Sequence, residues 1–243
     1  MTRLDHPATA TGDAERDRRA ERILDTASEL LVAWGYRRVT IEEVARRSGV
    51  GKGTVYLHFH TKEVLFLTAV MRAQSVMTER LLQDMRADPA RILPSSIARS
   101  IYLRIHEEPI IRAILTGDTD TLGTLSRTAP DHVGDLLEAR ERTLDTYFEV
   151  LREHDLVRTS PPVHLQRHAL SAVLTGYLVI GPLTPYSTPD TETAADMLAH
   201  TVRSSFETGH HEDRLNEAVP RIIGLFQGLL ERMNEEISRQ KLT

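Results

Sequence analysis

The stretch of sequence that decides the fold is residues 35–63, GYRRVTIEEVARRSGVGKGTVYLHFHTKE. It predicts two short helices, 41–48 and about 52–57, joined by a turn at 49–51. Glycine at position 49 can adopt a positive φ in such a turn at little cost. Helices this short are marginal alone, so they must pack on a scaffold. The amphipathic segment 23–34 immediately before them provides it.

The two faces of the second short helix differ in chemistry. Ala45 and Val55 are expected to face the core, and Thr40 with Glu43 matches a capping box. The opposite face is polar, cationic and aromatic, as a major-groove reading helix should be. The residues expected to contact DNA are Thr40, Gly51, Lys52, Gly53, Thr54, Tyr56, His58 and Lys62. The alternatives are that Tyr56 is a core residue and that His58 and the two lysines are solvated surface residues.

This stretch resembles the head of the TetR family of regulators. The similarity covers about residues 18–66. The matching residues are Trp34-Gly35-Tyr36, Val39-Thr40-Ile41, Val44-Ala45, Gly49-Val50, Lys52-Gly53-Thr54-Val55-Tyr56, His58-Phe59 and Lys62-Glu63. Gly51 departs from the pattern, because serine or a similar N-cap is more usual there. The resemblance implies a dimer whose helical C-terminal domain encloses a ligand that moves the DNA-binding heads out of register, usually to relieve repression.

The remainder of the chain also shows helical periodicity. No segment alternates as a strand would, so the fold class is predicted to be all-α. We expect a mobile tail at 1–15, a three-helix helix-turn-helix head at 16–66, and a helical ligand-binding and dimerisation domain at 67–243.

Composition and charge fit this division. The 243 residues carry a net charge of −5, but residues 16–66 hold ten Lys/Arg against seven Asp/Glu. A locally basic segment on an acidic chain is typical of a DNA-binding module joined to another domain. The chain has no cysteine and no apparent signal peptide, which favours the cytoplasm. The longest apolar run, 172–183, is too short and interrupted to span a membrane, so no membrane association is expected.

Catalytic and metal-binding patterns are not apparent. The sequence contains no HExxH, P-loop, GxSxG or GxGxxG motif, so we expect no enzyme activity and no cofactor. His164 and His168 lie one helical turn apart, but no carboxylate follows at helical spacing, so we expect no metal site.

Two sets of residues in the C-terminal domain are predicted from the family packing and from apolar stripes. The residues expected to line a partly hydrophobic pocket are Tyr102, His106, Ile111, Leu115, Tyr147, Leu151, Val173 and Tyr177. Those expected at a homodimer interface are Leu170, Leu174, Leu178, Ile222, Phe226, Leu229, Leu230 and Met233. The alternative for each is an ordinary core position.

These observations lead to one functional hypothesis and two rivals. The first is a repressor that binds double-stranded DNA at a palindromic operator and is released by a small, partly hydrophobic effector. The second is an activator or a ligand-independent DNA-binding protein with the same head. The third is a helical enzyme or scaffold that has lost DNA binding, against which the intact helix-turn-helix pattern argues.

Overall fold

The computed structural model describes residues 7–116, 119–180, 189–209 and 212–242. Within these ranges every regular element is a helix, which confirms the predicted all-α class. The helices are α1 Pro7–Trp34, α2 Ile41–Ser48, α3 Lys52–His58, α4 Lys62–Ala87, a 3-10 helix Pro89–Ile92, α5 Pro94–Glu107, α6 Pro109–Thr116, α7 Thr119–Glu153 with a kink at Val133, α8 Val163–Ile180, α9 Thr191–Phe206 and α10 Glu212–Leu242. None of the helices in these ranges has the length and hydropathy that a bilayer crossing needs.

The first helix begins earlier than the sequence indicated. α1 starts at Pro7, so residues 7–15 are helical where a tail was expected. Apolar periodicity detects only a helix face that packs against a core, so its absence there did not exclude a helix. At the other end of the head, α4 continues unbroken across residue 66. The head and the remainder of the chain therefore share a helix, and the domain division stays a prediction.

Local capping explains where the short helices begin. The Thr40 hydroxyl accepts the N–H of Glu43 at 3.2 Å, and the Thr61 hydroxyl accepts the N–H of Val64 at 3.1 Å. Gly49 ends α2 at φ 70°, in the left-handed region where glycine avoids the Cβ penalty. The Glu43 carboxylate pairs with Arg46 and Arg47 instead of reaching back to Thr40, so only half of the expected capping box forms.

An apolar cluster joins the head to the helices beyond it. The head contributes Ile23, Leu24, Ala27, Leu30, Val44, Val55, Phe59 and Leu65, and later helices contribute Tyr102, Ile105, Ile114, Leu178, Leu198 and Val202. Each fully buried large apolar side chain contributes about 1.5–3 kcal/mol relative to exposure. The short helices α2 and α3 are therefore held mainly by packing, as their length requires.

A second cluster lies between the end of α4, the 3-10 helix, α7 and α10. The Tyr147 hydroxyl is buried there and donates to the Ile92 carbonyl at 2.7 Å. Its ring packs edge-on against Phe226, with centroids 5.7 Å apart. Tyr147 and Leu151 therefore belong to this core and do not join Tyr102 in the first cluster.

Candidate nucleic-acid interface

The third helix presents one face to the head and the opposite face to solvent. Val55 and Phe59 are fully buried, whereas Lys52 and Gly53 are exposed and Tyr56 is 40% exposed. Gly51 precedes the helix in an extended conformation (φ −74°, ψ 151°) and offers no side-chain cap. The outward face is thus short, weakly polar and accessible, and it would fit against a DNA groove.

Leu57 is a residue of this face that sequence reasoning missed. Its side chain is 67% exposed, more than any other large hydrophobic residue that the structure describes. At 100° per residue, Leu57 and Gly53 lie almost opposite the buried Val55, so they occupy the centre of the outward face. A helical wheel drawn from Val55 would have found Leu57.

His58 lies on the buried side and corrects the prediction that it faces DNA. It is 3% exposed, and its Nδ1 lies 3.4 Å from the carbonyl oxygen of Lys241 at the end of α10. Residues three apart share a helix face, so His58 follows Val55 inward rather than Tyr56 outward. Burial lowers the pKa of His58, which favours the neutral ring.

Lys62 also makes a contact inside the head. Its ammonium donates to the Tyr36 carbonyl at 2.6 Å and lies 4.2 Å from the centroid of the Tyr36 ring. Desolvation lowers the pKa of Lys62. The Tyr36 hydroxyl in turn donates to Glu63 at 2.8 Å. Lys62 therefore ties the turn after α1 to the start of α4, and a phosphate contact would require the ammonium to leave the carbonyl.

The remaining predicted contacts lie where DNA could reach them. The Lys52 ammonium pairs with Glu42 across the turn and lies 5.9 Å from the centroid of the Tyr56 ring. The hydrogen bond to Glu42 raises the pKa of Lys52, so the group is cationic at neutral pH. Thr54 is half-buried, and Thr40 is exposed at the start of α2. Their contacts with DNA stay predictions.

The residues predicted for a ligand pocket divide between the two apolar clusters. Tyr102 and Tyr177 form an edge-to-face pair with centroids 6.4 Å apart, and His106 lies 4.4 Å from Tyr102. Ile111 and Val173 pack in the same cluster. Tyr147 and Leu151 lie in the second cluster. The side chain of Leu115 is outside the described part.

The residues predicted at the dimer interface are largely buried within one chain. On α10 these are Ile222, Phe226, Leu229, Leu230 and Met233. α10 packs along α4 and α7, which corrects the expectation that this stripe is free for a partner. On α8, Leu178 is buried, and Leu170 and Leu174 pack against the first cluster. An apolar stripe identifies a buried face but does not say whether the covering element belongs to the same chain.

Comparisons with known proteins agree with the geometry of the head. The model of the bacterial regulatory proteins, tetR family, matches residues 23–69. The uncharacterized HTH-type transcriptional regulator YerO of Bacillus subtilis is 45% identical over 49 residues, which are 20% of this chain and 17% of that protein. The HTH-type transcriptional repressor AcnR of Corynebacterium efficiens is 31% identical over 152 residues, which are 59% of this chain and 79% of AcnR.

A solved structure extends the similarity of fold to the C-terminal helices. The triclosan complex of SmeT superposes with a TM-score of 0.60 at 18% identity, covering 79% of this chain and 92% of that one. SmeT is the repressor of the Stenotrophomonas maltophilia multidrug efflux pump SmeDEF. Because the family model covers the helix-turn-helix and the match to AcnR covers most of that relative, the chain belongs to the TetR family of bacterial regulatory proteins.

Proposed function

We propose that the chain is a transcriptional regulator that binds double-stranded DNA at a palindromic operator and represses until a small effector releases it. The observation that carries this proposal is the outward face of α3, where Lys52, Gly53, Tyr56 and Leu57 stand exposed on a helix whose other face is fixed by the core. Rigid support behind an exposed reading face is what base contacts in a groove require. AcnR, the relative matched over most of its length, is named a repressor.

The operator geometry follows from two-fold symmetry. A dimer places two such heads on half-sites about 34–36 Å apart, or a multiple of that spacing. With the α10 stripe buried, the outer faces of α8 and α9 are the better dimer surface. Leu165 and Met197 are exposed there, and Ala172 and Gly176 would allow close approach of a partner helix. This dimer would act in the cytoplasm, where bacterial DNA lies.

The proposed effector site centres on the aromatic pair Tyr102 and Tyr177. Their rings lie among apolar side chains, and the Tyr177 hydroxyl lies 3.3 Å from that of Thr201. Such a mixture of apolar surface and a few polar groups is typical of small-molecule sites. SmeT, which shares the fold, was solved with triclosan. A small, partly hydrophobic effector would match the chemistry of these side chains.

Selection of bound fragments from the source genome tests the proposal. The protein is first unfolded and refolded, which removes any effector carried through purification. Selected fragments are then footprinted at two salt concentrations. We expect one palindromic, salt-sensitive site, with a slope of log affinity against log salt of about −0.9 for each phosphate contacted. A correctly refolded dimer that selects no site would contradict the proposal.

Matched variants assign the site to the head. Tyr56→Ala should weaken binding to the selected site, whereas Val76→Ala, a truncation at an equally exposed position on α4, should not.

In transcription from an operator template, added protein should lower the yield of transcript. A rise would favour an activator. A broad library of small apolar compounds that neither raises the melting temperature nor releases DNA would favour a ligand-independent regulator.

A further inference from the structure

The last helix reaches the DNA-binding head, a contact that the helix-turn-helix motif does not require. α10 has 31 residues and so extends about 46 Å at 1.5 Å per residue. Its N-terminal half packs in the second apolar cluster through Leu215, Ile222 and Phe226. Its C-terminal end contacts α3. One helix thus connects the distal core of the C-terminal helices with the recognition helix.

Lys241 makes this contact with two head helices at once. Its carbonyl oxygen lies 3.4 Å from Nδ1 of His58 on α3, where a neutral ring protonated at Nδ1 would donate. Its ammonium pairs with Asp17 at 3.3 Å and with Glu21, both on α1. The Lys241 side chain is only 13% exposed, whereas Asp17 is 64% and Glu21 is 36% exposed, so the pair with Glu21 is the better shielded from water.

The acidic side chains of α1 also pair with a cation on α4. Arg72 donates to Glu21 at 2.6 Å and pairs with Asp25 at 2.7 Å. Burial alone would raise the pKa of Glu21, but the hydrogen bonds from Lys241 and Arg72 outweigh it, and the pKa lies below its usual value. Glu21 is therefore ionised at neutral pH and holds the cations of α4 and α10 against α1.

Neighbouring contacts fix the end of α10 to α4. Ile237 packs with Met71 and Val133 in a small apolar cluster. The Ser75 hydroxyl donates to the side-chain oxygen of Asn234 at 2.6 Å. These contacts hold α10 along α4 and place Lys241 beside both α1 and α3. A displacement of α10 would move Lys241 relative to these two head helices.

We propose that Lys241 is a positioning residue for DNA binding, which holds α1 and α3 in the arrangement that reads the operator. The effect of Lys241 on DNA binding rests on the proposed function. The positioning of α1 and α3 is a property of the free protein and can be tested without DNA. Lys241 itself is not expected to touch DNA. The end of α10 would act on the operator only through His58 and α1.

The experiment compares three variants of the full-length protein. Lys241→Met removes the ion pairs and keeps the backbone carbonyl, and Lys241→Arg keeps the charge. Arg232→Met is the charge-matched control, because Arg232 is exposed on the same helix. Hydrogen exchange of the α3 amides in the free dimer reports positioning. Affinity for the selected operator and for random DNA of equal length reports its consequence.

We expect Lys241→Met to speed exchange in α3 while amides of the second cluster stay protected. Its operator affinity should fall about tenfold, which corresponds to about 1.4 kcal/mol, with little change on random DNA. Lys241→Arg and Arg232→Met should behave like the parent. Unchanged α3 exchange, or a uniform loss of protection across the chain, would overturn the proposal. If the parent selects no operator, the proposed function fails, while the exchange result still decides the positioning role.

Discussion

Replacing Gly53 with alanine should separate the stability of the head from its affinity for DNA. A Cβ at this position would have no heavy atom within 4 Å, and the backbone is outside the left-handed region, so the helix accepts the methyl without strain. Alanine exceeds glycine in helix propensity by about 0.8–1.0 kcal/mol. α3 is short and is held mainly by packing, so the full difference in propensity need not be realised. We expect the free energy of unfolding to rise by about 0.5–1 kcal/mol.

The same methyl should weaken operator binding. Gly53 and Leu57 form the centre of the outward face, where the helix backbone would lie closest to the base edges. An extra methyl in a close-packed contact costs about 1–3 kcal/mol, and a two-fold dimer carries it in both heads. We therefore expect at least about a tenfold loss of operator affinity, since tenfold corresponds to about 1.4 kcal/mol. Urea denaturation measures the first effect and fluorescence anisotropy with labelled operator measures the second.

Gly224→Ala is the matched control for this prediction. Gly224 lies in α10, and a Cβ there would also have no neighbour within 4 Å. This variant should gain similar stability and keep the operator affinity of the parent. If Gly53→Ala gained stability and bound the operator as tightly as the parent, the outward face of α3 would not be the surface that approaches DNA.

Two further predictions concern Leu57 and Glu207. Leu57→Ala should weaken operator binding. The loss should shrink when deoxyuridine replaces the thymines of the half-site, because apolar side chains contact the thymine methyl group. An equal loss of affinity on both DNAs in anisotropy titrations would argue against that contact. Glu207→Ala should lower the free energy of unfolding by about 1–3 kcal/mol, because its buried carboxylate accepts the backbone N–H of Ser95 at 2.8 Å. Urea denaturation checks this, and a midpoint equal to that of the parent would show that the amide finds another partner.

The parts of the head that follow from local chemistry were predictable from the sequence. Thr40 and Thr61 cap their helices because a hydroxyl at that spacing meets an unpaired N–H. Gly49 adopts its positive φ because the turn requires it. The inward side of His58 also follows locally, from its spacing of three residues from Val55. Its partner does not, because Lys241 lies 183 residues later in the chain and no local pattern contains that contact.

The same limit explains the errors in the C-terminal helices. Phe226 was predicted at a homodimer interface because it belongs to an apolar stripe. The stripe packs instead on α4 and α7 of the same chain, an arrangement that depends on how three long helices fold together. Tyr147 was predicted to line the same pocket as Tyr102, but it lies in the second cluster. Its separation from Tyr102 depends on which helices adjoin, and periodicity carries no information about that.

The charges of the head bear on how it can discriminate among DNA sequences. Its excess of basic residues is small, and several cations already have partners: Arg46 and Arg47 pair with Glu43, and Lys52 pairs with Glu42. A phosphate must compete with these carboxylates, so the general attraction of the head to any duplex is weakened. Sequence-independent binding depends mainly on such phosphate contacts. A weakly attracting head therefore leaves more of the discrimination to shape and base contacts, the role that an exposed Gly53 and Leu57 are suited to fill.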